Sequence, residues 1–432
     1  MSGASGTEDI GSTELSPALP LGGPPTFTGA IWIGSVDIGQ IDMKRPLRLR
    51  ESSGFQQARL LVRRGTRVFG FIEAPIDAGH VDAAVLKPAL QALPDTSTPA
   101  AGAVGADITV VLCTRDRVDM LKTALASILA LDDEHLRVIV VDNAARTGYT
   151  RQHVANLDDP RVRLVVEAAP GLARARNAGL RAATTEIVAF TDDDVVVDAY
   201  WLRGLAEGFS EPAVACVSGI VPSGEIRTPA QAYFDQRVGW ARNCEPRVYR
   251  TDAPPADVPL FPFQVGMYGT GANFAVRRSV IVELGGFDEA LGAGAPTRGG
   301  EDLDMFFRML CAGWHLAYQP AAVVWHRHRS DPDALAEQAR AYGLGLGALL
   351  TKIAVNPSTA KLALRTVITK APTILRFSYR LSKIASPPDT LVDDLPGNMG
   401  ALELAWILKG PLAYRAARRE GRRSAPSLEA LT

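Results

Sequence analysis

Ile108-Thr109-Val110-Val111-Leu112-Cys113 is an unbroken run of apolar and β-branched residues, and it ends in the charged turn Thr114-Arg115-Asp116-Arg117. A strand with one wet face alternates, whereas a run without a polar face belongs to a strand covered on both sides. Downstream, Met120, Leu121, Leu125, Ile128 and Leu129 carry a helical pattern, and Val138-Ile139-Val140-Val141 reads as a second strand. A polar helix near 149–157, a strand at 162–166, a helix at 172–183 and a fourth strand, Ile187-Val188-Ala189-Phe190, complete the series. Strand and helix alternate, which predicts βαβ units and a doubly wound, mainly parallel sheet with helices on both faces.

Around this core the chain changes character. Residues 1–25, rich in Gly, Ser and Pro, read as a disordered tail without the basic start and apolar run of a signal peptide. Residues 26–94 read as a small β-rich module, 95–106 as an Ala/Gly/Pro linker, 107–331 as the main domain, and 332–432 as a helical region broken at Pro357, Pro372, Pro387-Pro388 and Pro396. The 432 residues are 47% hydrophobic with a formal net charge of −1, so overall charge points to no nucleic acid partner. No apolar stretch reaches the ~18 residues that span a bilayer. The four cysteines form no CxxC pair and read as reduced thiols of a cytoplasmic protein.

In a doubly wound sheet, ligands bind outside the carboxyl ends of the strands. Strand one ends in Thr114 to Arg117, strand two in Asp142-Asn143, and strand four in Thr191-Asp192-Asp193-Asp194. Asp192 and Asp194, at i and i+2 on extended chain, face one cation, and carboxylate oxygens suit Mg²⁺ or Mn²⁺. Gly171 to Gly179 opens the preceding helix. There Arg174 and Asn177 share a face that can meet a diphosphate, while Arg176 points elsewhere. Gly300-Glu301-Asp302-Leu303-Asp304 meets a further helix, where capping alone explains one or two of the carboxylates. The glycine-rich 292–299 segment before it could move over a substrate. His326 and His328 close an apolar strand; taken alone, such a pair is a surface feature. Gly269-Thr270-Gly271 lacks the third glycine of a dinucleotide fingerprint, and Gly343-Leu344-Gly345-Leu346-Gly347 is a small-residue helix pattern.

In their order along the chain, Thr114-Arg115, Val141-Asp142-Asn143, Ala175-Arg176-Asn177-Ala178-Gly179, Phe190 to Asp194, Gly271 to Ala275, Gly285-Gly286-Phe287-Asp288, Gly300-Glu301-Asp302 and His326 resemble glycosyltransferase family 2, inverting enzymes of the GT-A fold. The resemblance covers roughly residues 107–330. It implies a nucleotide-sugar donor and a hydroxyl acceptor, glycan or lipid-linked. Thr114 and Arg115 would line the base and ribose pocket and Asp142 would bind the base. Arg174, Arg176 and Asn177 would approach the diphosphate or base, with Asp192 and Asp193 at the donor. Asp192, Asp194 and His326 would hold a divalent metal. Asp302, beside Glu301, would be the general base.

Two other readings stay open: a nucleotidyltransferase, which needs a glycine-rich loop after strand one, and a non-catalytic carbohydrate- or nucleotide-binding module. Between Gln338 and Pro388 no Asp or Glu occurs, while Lys352, Lys361, Arg365, Lys370, Arg376, Arg380 and Lys383 do. Interleaved apolar residues make this a basic amphipathic region, with an expected contact at the inner face of the plasma membrane.

Overall fold

The computed structural model describes residues 13–82, 84, 87, 91, 107–384 and 399–424, without 43, 240 and 242. The expected linker at 95–106 lies outside them, as do the side chains of Arg376, Arg380 and Lys383.

Six short strands build the N-terminal module: β1 (Thr13–Leu15), β2 (Ile31–Asp37), β3 (Leu47–Leu49), β4 (Gln57–Arg64), β5 (Arg67–Pro75) and β6 (His80–Val81). They form two three-stranded sheets, β2-β4-β5 and β1-β3-β6. The expectation that residues 1–25 are a disordered tail fails from residue 13 onward. β1 pairs with β3, Ala18 N donates to Ile33 O at 2.8 Å, and Leu19 is 1% exposed. Apolar Leu15 packs in the module's own core, and Leu19, four residues on, packs in the core shared with the main domain.

The module lies on the main domain. Leu19, Ile33, Leu61 and Val68 share one hydrophobic core with Val111, Phe190, Phe274 and Phe306. Two ion pairs cross the junction, Arg59 Nη1 to Asp235 Oδ2 at 2.7 Å and Arg63 Nη1 to Asp198. Arg63 and Asp198 are both buried. Removing one member of a buried pair strands the other charge at a cost of about 3–5 kcal/mol. Arg63→Ala should therefore lower chemical-denaturation stability by about that amount, while Arg59→Ala, at a wetter pair, costs less.

The main domain is one mixed sheet in the order β11-β15-β12-β14-β10-β7-β8-β9, with a ninth strand, β13 (Arg247–Tyr249), on β15. Here β7 is Ile108–Thr114, β8 Arg137–Asn143, β9 Val162–Glu167, β10 Ile187–Asp192, β11 Val195–Val197, β12 Val214–Ile220, β14 Asn273–Arg277 and β15 His315–His326. β10, β7, β8 and β9 run parallel, and β14 is antiparallel between β10 and β12. Every residue of β7 is buried, as its unbroken apolar run requires. Helices α1 (Val118–Leu129), α2 (Tyr149–Leu157), α3 (Leu172–Ala182), α4 (Trp201–Gly208), α5 (Pro229–Val238), α6 (Arg278–Glu283) and α7 (Glu301–Cys311) accompany the sheet.

Three helices follow: α8 (Pro332–Val355), α9 (Pro357–Ile384) and α10 (Met399–Ser424). Pro357 starts α9, and Lys370, two residues before Pro372, leaves helical geometry. The basic stretch expected at a membrane is divided. Lys352 lies between Asp288 and Asp304, whereas Lys361, Arg365 and Lys370 are exposed. No described helix is long and apolar enough to cross a membrane.

Candidate active site

Four strand ends meet at one edge of the sheet. β10 lies parallel to β7 and β7 to β8, which sets Asp192 opposite Cys113 and Thr114 opposite Asp142. Asp193 and Asp194 then turn the chain into β11. Its antiparallel pairing with the end of β15 matches Val195 with His326. One ligand atom from each of Asp192, Asp194 and His326 lies within 4.8 Å of the others, so these three can hold a metal ion. The donor set, two carboxylates and an imidazole, suits a divalent ion such as Mn²⁺ or Mg²⁺.

The electrostatics mark a place for positive charge. Burial raises the Asp192 carboxyl, with Arg176 opposing and the Asp194 charge adding to the rise. Burial alone would also raise Asp194, but His326 and Arg117 hold it well below the usual carboxylate range. Asp193, expected at the donor, turns inward. It accepts from Thr114 Oγ1 at 2.7 Å and pairs with Arg117 Nη1 at 2.6 Å. Its burial pushes it up to about 6 against Arg117.

Arg115, expected in the base pocket, is exposed, and from this turn it is Arg117, just before α1, that reaches the site. Arg117 Nη2 lies 2.8 Å from Asp194 Oδ2. Asp142 is fully buried. Its Oδ2 accepts from Arg151 Nε at 3.0 Å, and its Oδ1 has no hydrogen-bond partner among the described residues. Asn143 accepts from Gly171 N at 3.0 Å and so fixes the entry to α3.

On α3 the expected orientation is reversed. Arg174 pairs with Glu289 at 2.7 Å, and Asn177 clasps the Phe287 backbone through both ends of its amide. Arg176, about 200° around the helix from Arg174, points into the site and is 2% exposed. It donates to Glu301 Oε1 and to Gly271 O, both at 2.8 Å, and lies 3.4 Å from Asp192 Oδ1. A Cβ on Gly271 would fall 2.9 Å from both Arg176 Nη2 and Asp302 Oδ2. A side chain at this position would therefore displace the ends of Arg176 and Asp302 from where they lie over the Gly271 backbone.

Three carboxylates open α7. Glu301, 5% exposed, holds Arg176 and not Arg298, which pairs with Glu337 instead. Burial and the adjacent Asp302 push Glu301 up to about 7 against the pull of Arg176. Asp304 is buried between Arg308 and Lys352. Asp302 forms no ion pair among the described residues and stays partly exposed, with Oδ1 accepting from Leu303 N at 2.8 Å. The 292–299 segment, expected to move, is tied down: Gly292 N bonds Gly299 O, Thr297 Oγ1 bonds Ala290 O, and Leu172 N bonds Ala293 O.

The family model for glycosyl transferase family 2 matches residues 109–285. The succinoglycan biosynthesis protein ExoM of Rhizobium meliloti is 30% identical over 238 residues, 54% of this chain and 69% of that protein. This chain belongs to glycosyltransferase family 2. The pre-mycofactocin glycosyltransferase of Mycobacterium tuberculosis is 32% identical over 234 residues, 54% of this chain but 45% of that protein, so the match spans under half of that relative. Among solved structures, mannosyltransferase PcManGT from Pyrobaculum calidifontis, in complex with GDP-Man and Mn²⁺, is 19% identical with a TM-score of 0.46, covering 75% of this chain and 92% of that one.

The chain is thus a glycosyltransferase of GT-A fold, and the nucleotidyltransferase reading is set aside. Within the family frame, sequence reasoning missed two features. One is Arg117 in place of Arg115: its position at the start of α1 aims it back at the Asp193-Asp194 turn. Lys352, the ammonium between Asp288 and Asp304, carried no motif that could single it out.

Proposed function

We propose that this chain transfers a sugar from a nucleotide-sugar donor to a hydroxyl of a glycan or lipid-linked acceptor with inversion, using a divalent cation, Mn²⁺ or Mg²⁺, at Asp192, Asp194 and His326. The observation that supports it most is the convergence of those three ligands beside the partly exposed Asp302. A bound cation would supply charge neutralisation for the leaving nucleoside diphosphate. Asp302 takes the acceptor's proton as its oxygen attacks the anomeric carbon. The bond to the diphosphate breaks on the opposite face, and one displacement inverts the centre. Arg176 holds Asp192 and Glu301 in place and forms the floor of the site through Gly271.

The buried Asp142 Oδ1, without a partner among the described residues, suits the ring N3–H of uracil or thymine or the N1–H of guanine, and adenine has no N–H at that ring position. A reducing, cytoplasmic setting fits the free thiols of Cys113, Cys216, Cys244 and Cys311.

The test is a thermal-shift panel of UDP-glucose, GDP-mannose, dTDP-rhamnose and ADP-glucose, with Mn²⁺ or with EDTA. A ligand at a hundredfold excess over its Kd stabilises by about 2.7 kcal/mol, a rise of several degrees. At least one of the first three should give that rise with Mn²⁺ and lose it in EDTA and in Asp194→Asn, while ADP-glucose gives none. Equal stabilisation in EDTA rejects the cation role.

A further inference from the structure

The glycines of Gly343-Leu344-Gly345-Leu346-Gly347 divide between two opposite faces of α8. At 100° per residue, Gly343 and Gly347 share a face and Gly345 lies on the other. On the first face, a Cβ at Gly343 would meet Glu403 O at 2.7 Å and Trp406 Cβ at 2.8 Å, and one at Gly347 would run into Ile407 O and Gly410 of α10. On the second, a Cβ at Gly345 would fall 2.7 Å from the carbonyl carbon of Gly299 and 2.9 Å from its Cα. Gly300 faces it in turn: its own Cβ would lie 2.8 Å from Gly345 O, and its φ of 91° already demands glycine. Thus the backbone of α8 touches the backbone of the two residues that precede Glu301 and Asp302, with no side chain between them to yield.

A second contact lies on the same face. Lys352 is seven residues, two turns, beyond Gly345. Its Nζ is 2.7 Å from Asp304 Oδ1 on α7 and 2.6 Å from Asp288 Oδ2 at the start of the loop that leads to α7. Arg418 of α10 also approaches Asp288, at 3.9 Å. The catalytic helix is held at its first turn by close backbone packing and one turn on by a shared ammonium, and α10 backs α8 from behind.

We propose that α8 is a brace that sets the position of the Asp302 carboxylate, with Gly345 and Lys352 as positioning residues. This rests on the reading of Asp302 as the base. Gly345→Ala forces α8 and the 299–300 backbone apart by a fraction of an ångström to about one ångström. A shift of that size at a reacting group costs up to about 10² in rate, while the donor ligands on β8, β10 and β15 stay in place.

The experiment uses the full chain, Mn²⁺ and whichever of UDP-glucose, GDP-mannose or dTDP-rhamnose it binds. Turnover is read as hydrolysis of that donor, and affinity by calorimetry. Gly345→Ala should lose about 10- to 100-fold in kcat with donor Kd within about twofold of wild type. Turnover within about twofold of wild type, or turnover and affinity falling in the same proportion, overturns the brace. If Gly345→Ala does not fold, Lys352→Met decides by the same split between kcat and Kd, and its absence overturns the proposal. Asp302→Asn, run alongside, separates the two ideas. Lost turnover there with none lost in Gly345→Ala sinks the brace alone, and retained turnover in Asp302→Asn sinks the base assignment whatever Gly345→Ala does.

Discussion

Asp302→Asn lowers transfer by about 10² to 10⁴-fold, the range a positioned general base supplies, while donor affinity in the presence of Mn²⁺ stays within about twofold. Asparagine keeps the shape and the acceptor oxygen that Leu303 N uses, so the first turn of α7 is preserved. It breaks no ion pair, because Asp302 has none among the described residues. The neighbouring acids respond differently. Glu301→Gln removes the partner of buried Arg176, and Asp304→Asn removes a partner of Lys352, so both act first on stability. Single-turnover rates and calorimetric donor titrations distinguish the cases. Near-normal turnover in Asp302→Asn with a collapse in Glu301→Gln at full folding would move the base to Glu301.

Arg176→Met should match Arg63→Ala in its effect on stability, and here the loss falls inside the site. Among the described residues the guanidinium is the one cation within ion-pair distance of buried Glu301, and it also reaches Asp192. Its loss strands Glu301 at a cost of up to about 3–5 kcal/mol, read as a shift in the denaturant midpoint at pH 8. The pH dependence has a definite sign. Glu301 is raised from 4.5 to about 7 even with Arg176 present. The folded state therefore retains a proton that the unfolded state has released, and this contribution to stability falls as pH rises from about 4.5 to 7. Without Arg176 the carboxyl is raised further, so the variant's deficit is smaller at pH 5.5 than at pH 8. Arg176→Met with Glu301→Gln should recover part of the stability but not the turnover. A deficit that is flat between pH 5.5 and 8 would show that Glu301 is not the stranded group.

Much of this site could be read along the chain because the sheet announces itself. The central stretches of β7, β8 and β10 are apolar, so the first acids at their carboxyl ends gather at one edge of the sheet, as Asp142, Asp192 and Asp194 do. Helical surfaces gave less. Arg174, Arg176 and Asn177 are all polar, and only the neighbours decide that Arg176 is buried against Glu301 while Arg174 meets Glu289. The same holds for Arg115 and Arg117, two residues apart in a turn whose direction no periodicity encodes. The glycines of α8 showed a spacing without a partner, since the partners at 299–300, 403 and 406–410 lie far off in sequence. Leu15 and Leu19 were lost among Gly, Ser and Pro, a composition that averages away two anchoring side chains.

The junction between the N-terminal module and the main domain bears on how the protein emerges from the ribosome. β2, β4 and β5 are made early, but the carboxylates that meet Arg63 and Arg59 follow 135 and 176 residues later. At about 5–20 residues per second, the finished module waits roughly 7 to 35 seconds with the face bearing Ile33, Leu61 and Val68 uncovered. Arg59 and Arg63, on the strand that will cross the junction, keep charge on that nascent surface until Asp198 and Asp235 are translated. The same two arginines that charge this face are the ones that later fasten it across the junction.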